Sequence, residues 1–562
     1  MSPDKPTTLA QALTALAQSR PTDQTRGFRF RSLTGEELNY PWFAMEREAR
    51  RRGAMLLASG MRKGDRLAVV IAEPHEFVLT FLGAVAAGVV PVPIYPRAGF
   101  KAKNAYVETV SHIVAAAGAR VLITLENTRE VIEEVVAKGA SLERILTVEE
   151  FFRGDAPTVE WPTIEPHDLC FLQFTSGSTS MPKGVMVTHA SLIANVNAFL
   201  GPAGIAKNDD DIAITWLPLY HDMGLIGFVL GTLLFDLPTV LLPTEAFARR
   251  PTMWMEAMSH YGGTITFAPN FAYSLAVKRS RDKDLEGLNL SKLRVAGCGA
   301  EPINANVMRA FAERFAPAGF NANALMPCYG MAEATLAISF HAHGTPLIID
   351  RVSARSMTLG QAVPAAEGED ALELLSCGPA FPEHSVRVVD DSGAFLGERA
   401  VGELIMQGPS VTSGYYQNPE ATSAGYREGW LHTGDLGYIV DGRIYVCGRI
   451  KDLIIIRGAN FYPQDIEWAV SEVPGVRRDN VVAFSVVNDG EESLVIAAEG
   501  GSADAALLRK TIAAKVSESC GLSIGHVAVV RVGSLPKTSS GKPQRRRTKQ
   551  LFELGQLEEH PV

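Results

Sequence analysis

The sequence predicts an α/β fold, with a large N-terminal domain of helix-covered, mostly parallel sheets and a smaller α+β C-terminal domain. Three observations carry that expectation. The chain has 562 residues, too many for one hydrophobic core. From Arg66 onward, short Val/Ile/Leu runs alternate with helical stretches, as in parallel sheets covered on both faces. After about Asp441 that alternation gives way to closely spaced strands and short amphipathic helices.

Taken in order, "RLAVVIA" reads as a strand and "EFVLTFLGAVAAG" as an apolar helix stopped by Gly88. "RVLIT" is a strand, "TREVIEEVVAKG" a helix and "RILTV" a strand. Later strands are expected at "DIAITWLP", "TVLLP", "TITFAP", "LRVAGCG" and "NALMPCYG". Ligands in such folds gather at the carboxyl ends of strands, which is where the polar, glycine-bearing segments fall. In the C-terminal part, "GRIYVCGRIKDLIIIRG" is strand-rich, and "PQDIEWAVSEV" is a short helix with Pro463 at its start. Strands at "VVAFSVVND" and "SLVIAAEG" precede a helix near "DAALLRKTIAAKVSES". There is no internal repeat and no long low-complexity segment.

Composition narrows the function. Hydrophobic residues make up 46% and charged residues 20%, ordinary for a globular protein. A net charge of -9 gives no reason to expect nucleic-acid binding. The six cysteines, Cys170, Cys298, Cys328, Cys377, Cys447 and Cys520, form no CxxC pair. Neither a zinc site nor a disulfide framework is suggested, and free thiols fit a cytoplasmic location. "MSPDKPTTLAQALTALAQ" lacks the basic head and apolar run of a signal peptide. The longest uncharged run, Phe77 to Pro96, contains Gly83, Gly88, Pro91 and Pro93. It reads as a buried helix, a turn and a strand, so no integral membrane association is expected.

The stretch "FTSGSTSMPKG", Phe174 to Gly184, carries the chemistry. A Ser/Thr/Gly linker would not normally sit between two buried strands, and "CFLQF" and "VMVTH" flank it. A P-loop needs Gly before Lys, Ser or Thr after it, and then a helix. Here Pro182 precedes Lys183, Gly184 follows it and a strand comes next. The reading that fits best is a hairpin-like loop whose hydroxyls and backbone N–H groups wrap the polyphosphate of ATP. Gly177 would allow close approach and Lys183 would supply charge.

With that loop in place, the sequence resembles the adenylate-forming superfamily of acyl-CoA synthetases, peptide-synthetase adenylation domains and luciferases. After "TSGSTSMPKG" come, in the family's order, "WLPLYHDMGLIG", "GCGAEPI", "CYGMAEAT", "GELIMQGPSVTSGYYQNPEAT", "WLHTGDLGYI", "GRIKDLIIIRG" and "LPKTSSGKPQR". "LYHDMGLIG", "YGMAEAT" and "NFYPQDIE" resemble the fatty acyl-AMP ligases in particular. So does the long segment between "YGMAEAT" and "SCGPAFPEHSVRVVD", since those ligases carry an insertion there that is linked to their failure to use coenzyme A. The resemblance implies an ATP- and acyl-binding domain over residues 1–450, with the insertion around 345–372. It also implies a small mobile domain over 451–562 that turns about a hinge at Lys451.

It further implies a reaction and a set of residues. A medium- or long-chain fatty acid would attack MgATP to give acyl-AMP and pyrophosphate. The acyl group would then pass to the phosphopantetheine thiol of an acyl carrier protein. A carboxylate is ionised at pH 7, so catalysis needs positioning and positive charge, not a base. Thr175, Ser176, Gly177, Ser178, Thr179 and Lys183 would hold the β- and γ-phosphates. Glu333 would hold Mg²⁺, consistent with one carboxylate plus phosphate oxygens. Tyr329 would stack on adenine with Gly299, Ala300, Glu301 and Pro302 on its other face. Gly330, Met331 and Ala332 belong to the same nucleotide segment; Ala332 stands where the wider superfamily more usually has Thr. Asp435 would accept from the ribose hydroxyls, with Arg449 beside it. His221 would gate the acyl carboxylate, and Lys542 would reach the α-phosphate from the small domain. Arg545, Arg546, Arg547 and Lys549 are candidates for docking an acidic carrier.

Outside this context each residue has a plainer reading: a core tyrosine, a turn aspartate, a structural histidine, a solvated helix-start glutamate, a basic tail. Rival activities are an acyl-CoA synthetase, an amino-acid- or aryl-acid-adenylating enzyme, and a non-catalytic nucleotide-binding protein on the same fold.

Overall fold

The computed structural model describes residues 6–96, 103–137, 142–175, 181–456, 459–488, 491–501, 505–538 and 541–561. An eight-stranded sheet runs in the order Ala337–Phe340, Leu325–Gly330, Val295–Cys298, Ile265–Ala268, Ala213–Thr215, Thr239–Leu241, Gly27–Arg31, Glu37–Pro41. Its inner pairs are parallel and only the two edge pairs are antiparallel. A second, four-stranded sheet is wholly parallel: Val90–Pro93, Arg66–Val70, Val121–Thr124, Arg144–Thr147. Most of these strands are buried along their length, which is why they read as unbroken apolar runs. The helix Pro74–Ala86 is buried along one continuous stretch, and its Phe77, Phe81 and Val85 join the main core with Phe171 and Val187.

A third sheet is antiparallel throughout: Ser385–Val389, Gly402–Gln407, Trp430–Val440 and Tyr426–Arg427, with Arg443–Arg449 on the far side of Trp430–Val440. Most of its strands were not anticipated. Trp430–Val440 mixes buried and half-buried positions and is interrupted by Thr-Gly-Asp, so no period-two pattern stands out. The segment expected to be an insertion is ordered. Ile349–Ser353 pairs antiparallel with Ala371–Leu375, and a short helix, Ala354–Thr358, lies between them.

In the C-terminal part, Val476–Asn488 pairs antiparallel with Glu491–Gly500, which pairs parallel with Ile524–Val530. The helices Pro463–Ser471 and Ala505–Cys520 cover this sheet. Their contacts form a core of Ile454, Ile466, Val470, Ile496, Ile512 and Val516 that draws on no residue before Ile454. A last helix, Arg545–Glu553, forms where the sequence suggested only a basic stretch. Among the described residues no helix is long and apolar enough to cross a membrane.

Candidate active site

The strand Leu169–Thr175 turns back antiparallel into Lys183–Thr188, with Thr175 opposite Lys183. The expected hairpin is therefore present at its two ends, while Ser176, Gly177, Ser178 and Thr179 lie outside the described residues. A third extended segment lies on the second strand: the Met186 N–H donates to the Gly414 carbonyl (3.0 Å) and the Tyr416 N–H to the Gly184 carbonyl (2.8 Å). That brings Tyr415 to Lys183, whose ammonium lies 5.0 Å from the centre of the tyrosine ring. The Tyr415 hydroxyl in turn donates to Glu333 Oε1 at 2.7 Å. Nothing in the stretch "SGYYQNPEAT" singles out Tyr415 for this place.

Glu333 sits on a single 3₁₀ turn, Ala332–Ala334, buried behind the hairpin. The Thr412 N–H and hydroxyl both donate to its carbonyl, at 2.9 and 3.0 Å. Thr335 leaves the turn at a φ of 69°, a strained angle for a β-branched residue, and its hydroxyl is tied to the Ser410 carbonyl at 2.7 Å. Burial raises the Glu333 pKa, and the Tyr415 hydroxyl and Arg449 pull it back down. Among the described residues Glu333 makes no ion pair, and no group of three or more His, Cys, Asp or Glu gathers anywhere. A buried carboxylate with only a phenol on it fits Mg²⁺, which takes few protein ligands and completes its shell with phosphate oxygens and water.

On the nucleoside side, Asp435 is buried. It accepts the Tyr329 hydroxyl on Oδ2 at 2.8 Å and Arg449 Nε on Oδ1 at 3.1 Å. Burial raises its pKa and the Arg449 charge opposes that, while the same pair raises Arg449. The Tyr329 ring belongs to a buried cluster with Ile338, Cys377 and Leu404, so it is both core residue and site wall. Gly330 follows because a Cβ there would lie 2.0 Å from the Leu336 carbonyl oxygen. Met331 closes that crossing by donating its N–H to the same carbonyl (2.8 Å), and Ala332 is buried beneath. Gly299 packs against Cys328, and Ala300 takes a φ of 66°. Glu301 caps the helix Asn270–Arg279, accepting the Phe271 N–H at 2.7 Å, with Pro302 next in the chain.

Lys542 reaches this loop from the C-terminal part: its ammonium donates to the Ala300 carbonyl. Burial lowers its pKa, and the carboxylates of Glu301 and Asp222 raise it. Burial and the Lys542 charge hold His221 down at about 4, so the imidazole is neutral at pH 7. The Lys542 turn is held by the Thr538 N–H donating to the Lys542 carbonyl (2.8 Å) and the Gln544 N–H to the Pro536 carbonyl (2.8 Å). Arg545 then pairs with Glu467 and Asp452, both at 2.8 Å. It is committed inside the C-terminal part and is not a carrier-docking residue, which corrects that expectation. Arg547 is exposed, Arg546 and Lys549 half-buried, and Lys451 lies exposed on the short turn Ile450–Asp452 directly after Arg449.

Behind Asp222, Ala300 and Gly330 lies an apolar cavity of about 660 Å³, counting its open mouth. Its wall includes Phe199, Met223, Gly227, Phe228, Phe267 and Phe340. The helix after His221 makes a π-turn at Ile226–Leu230 beside this cavity, a distortion often found at functional sites. The apolar runs after His221 and around Phe267 thus divide their residues between cavity wall and plain core.

A family model described as AMP-binding enzyme matches residues 23–416. The chain belongs to the AMP-binding enzyme family. Among its relatives, a Caulobacter vibrioides protein provisionally named acyl-CoA synthetase is 40% identical, over 98% of this chain and 96% of that protein. The long-chain-fatty-acid–AMP ligase FadD26 of Mycobacterium bovis is 36% identical over 86% of each. A structure from a study of fatty acyl-adenylate ligases of E. coli and L. pneumophila superposes with a TM-score of 0.91 at 34% identity, covering 98% of both chains. The stretch matched to the family model includes Thr175, Lys183, His221, Glu333 and Tyr415; Asp435, Arg449 and Lys542 lie beyond it, within the span shared with the Caulobacter relative.

Proposed function

We propose that the chain activates a medium- or long-chain fatty acid with ATP, forming acyl-adenylate and pyrophosphate. It then passes the acyl group to the phosphopantetheine thiol of an acyl carrier protein. The observation that carries this reading is Lys542 on the Ala300 carbonyl, at the mouth of an apolar cavity and beside neutral His221. Likeness to long-chain fatty-acid–AMP ligases supports the choice of acid.

The alkyl chain fills the cavity and leaves its carboxylate at the Asp222–Ala300 rim. Asp435 and Arg449 hold the ribose, Tyr329 and the Gly299–Pro302 loop hold the base, and the hairpin with Lys183 holds the terminal phosphates. A carboxylate oxygen attacks the α-phosphorus as the bond to the β-bridging oxygen breaks, and the electron pair leaves with pyrophosphate. Lys542 neutralises charge on the α-phosphate and the incoming carboxylate. Neutral His221 lets the anion approach without trapping it in an ion pair. Bound at Glu333, Mg²⁺ would neutralise the phosphate oxygens. Turning about Lys451 would then withdraw Lys542 and admit the carrier's thiol.

The test is ATP–pyrophosphate exchange with fatty acids of graded length, aryl acids and amino acids. A mass-spectrometric assay with coenzyme A or a holo carrier follows. Exchange with fatty acids and acyl transfer to the carrier are expected. Exchange only with amino or aryl acids would refute the substrate class. Abundant acyl-CoA would favour the synthetase activity in the Caulobacter relative's name.

A further inference from the structure

We propose that Tyr415 is a positioning residue that sets both the Mg²⁺-binding carboxylate of Glu333 and the phosphate-gripping ammonium of Lys183. The inference rests on the ATP-binding reading of this site. Three segments far apart in the chain meet at this one side chain. Its hydroxyl donates to Glu333 Oε1 (2.7 Å) and its ring carries Lys183 at 5.0 Å. Its backbone is held in place independently of either contact. Tyr415 bridges Val185 in the hairpin, and its N–H donates to the Thr422 hydroxyl at 3.0 Å. The ring also packs edge-on against Tyr426, whose hydroxyl is 2.7 Å from the same Thr412 hydroxyl that donates to the Glu333 carbonyl.

This arrangement has a specific consequence. With one carboxylate oxygen held by the phenol, the Glu333 carboxyl plane is fixed and the other oxygen is the one left to a cation. Carboxylate ligands are tuned by such outer hydrogen bonds, whose loss typically lowers metal affinity tenfold to a hundredfold. The ring face does a separate job: it places a long, flexible lysine by cation–π attraction, and among the described residues no carboxylate forms an ion pair with its ammonium. One tyrosine thus aligns both a cation ligand and a cation for the polyphosphate.

The contributions separate by substitution. Tyr415→Phe keeps the ring and loses the hydroxyl; Tyr415→Leu loses both. In the full-length protein, Mn²⁺ binding is read by electron paramagnetic resonance in the presence of an ATP analogue with a methylene at the α,β position. Tyr415→Phe is expected to weaken Mn²⁺ binding at least tenfold and to raise the Mg²⁺ needed for half-maximal pyrophosphate exchange similarly. Its KM for ATP at saturating Mg²⁺ stays near that of the unaltered protein, whereas Tyr415→Leu also raises that KM. Glu333→Gln sets the scale of full ligand loss. Unchanged Mn²⁺ affinity in Tyr415→Phe overturns the proposal, as does unchanged affinity in Glu333→Gln. The Mn²⁺ measurement uses no acid, so it decides the matter even if every fatty acid fails in exchange and the proposed substrate falls.

Discussion

Lys542 holds its charge in a place that disfavours charge. Burial lowers its pKa, and Glu301 and Asp222 restore part of it. The mechanism needs the protonated amine, whose population falls as pH rises through that lowered pKa. Pyrophosphate exchange should therefore decline on the basic side below the pH where an ordinary lysine deprotonates. Lys542→Arg cannot lose its proton in this range, so its residual activity should run flat across the same interval. Lys542→Ala should cost about 10²–10³ in kcat, the usual loss for one charge-stabilising donor, while binding of ATP is spared. A rate left intact in Lys542→Ala, or an unchanged basic limb in Lys542→Arg, would remove Lys542 from the chemistry. At this scale the sequence was informative where a residue's motif is contiguous: "TSSGKPQR" marks Lys542 and "YGMAE" marks Glu333. It was silent on Tyr415, because a tyrosine's partners on two other segments leave no trace in its own neighbourhood. It misjudged Arg545 for the opposite reason. A run of arginines looks uniformly solvated until the fold brings Glu467 and Asp452 to one of them.

Elements show the same division. Parallel strands buried on both faces write themselves into the sequence as apolar runs, and each one named from the sequence forms. The antiparallel third sheet, half-exposed and interrupted by turn residues, does not. The helix Arg545–Glu553 is hard to read because its run of basic residues masks two anchors, the Arg545 ion pairs and Phe552 packed against Phe484. Arg545→Met should leave Glu467 and Asp452 without their cation, destabilising the C-terminal part by about 3 kcal/mol or more. By loosening the Lys542 turn it should also lower kcat with little change in ATP affinity; calorimetry and exchange kinetics check the two effects. The helix Leu9–Ser19 is tied to a buried histidine at its first turn. The Leu9 N–H donates to Nδ1 of buried His189 at 3.1 Å, and burial lowers the His189 pKa from 6.5 to about 4. The folded state resists a proton that the unfolded chain takes up below pH 6.5. Stability from this group is therefore complete above 6.5 and is lost as pH falls toward 4, by about 3 kcal/mol in all. His189→Asn offers the same acceptor without titrating. Its melting temperature should fall less than that of the unaltered protein between pH 7 and 4.5; equal falls would show that His189 does not control this window.

At the scale of the whole molecule, the segment expected to be an insertion packs on both sides of the expected hinge. Its Val352, Met357 and Ala362 share one buried cluster with Tyr438, Tyr445 and Cys447, which precede Lys451, and with Tyr462, which follows it. A turn of the C-terminal part about Lys451 must pull Tyr462 out of that cluster, exposing aromatic surface to water. Polar contacts cross the same divide as well: Lys278 with Asp479 at 3.1 Å, Lys542 with the Ala300 carbonyl, and buried Gln464 with the Cys447 carbonyl. Rim ion pairs contribute little, and Lys542 must leave in any case. If the segment opposes rotation in this way, a small thiol such as coenzyme A would have less binding surface than a carrier protein with which to offset it. A carrier protein can offset it with its own docking surface. The antiparallel register shows how to shorten this segment, since Ser353 lies opposite Ala371 and a two-residue turn can join them. Replacing residues 354–370 with Asn-Gly should leave pyrophosphate exchange near its original rate, because the nucleotide site and cavity draw no residue from that segment. It should also let acyl-CoA appear when fatty acid, ATP and coenzyme A are supplied, read by mass spectrometry. Full exchange without acyl-CoA would mean that coenzyme A is excluded elsewhere, at its binding surface and not at the hinge.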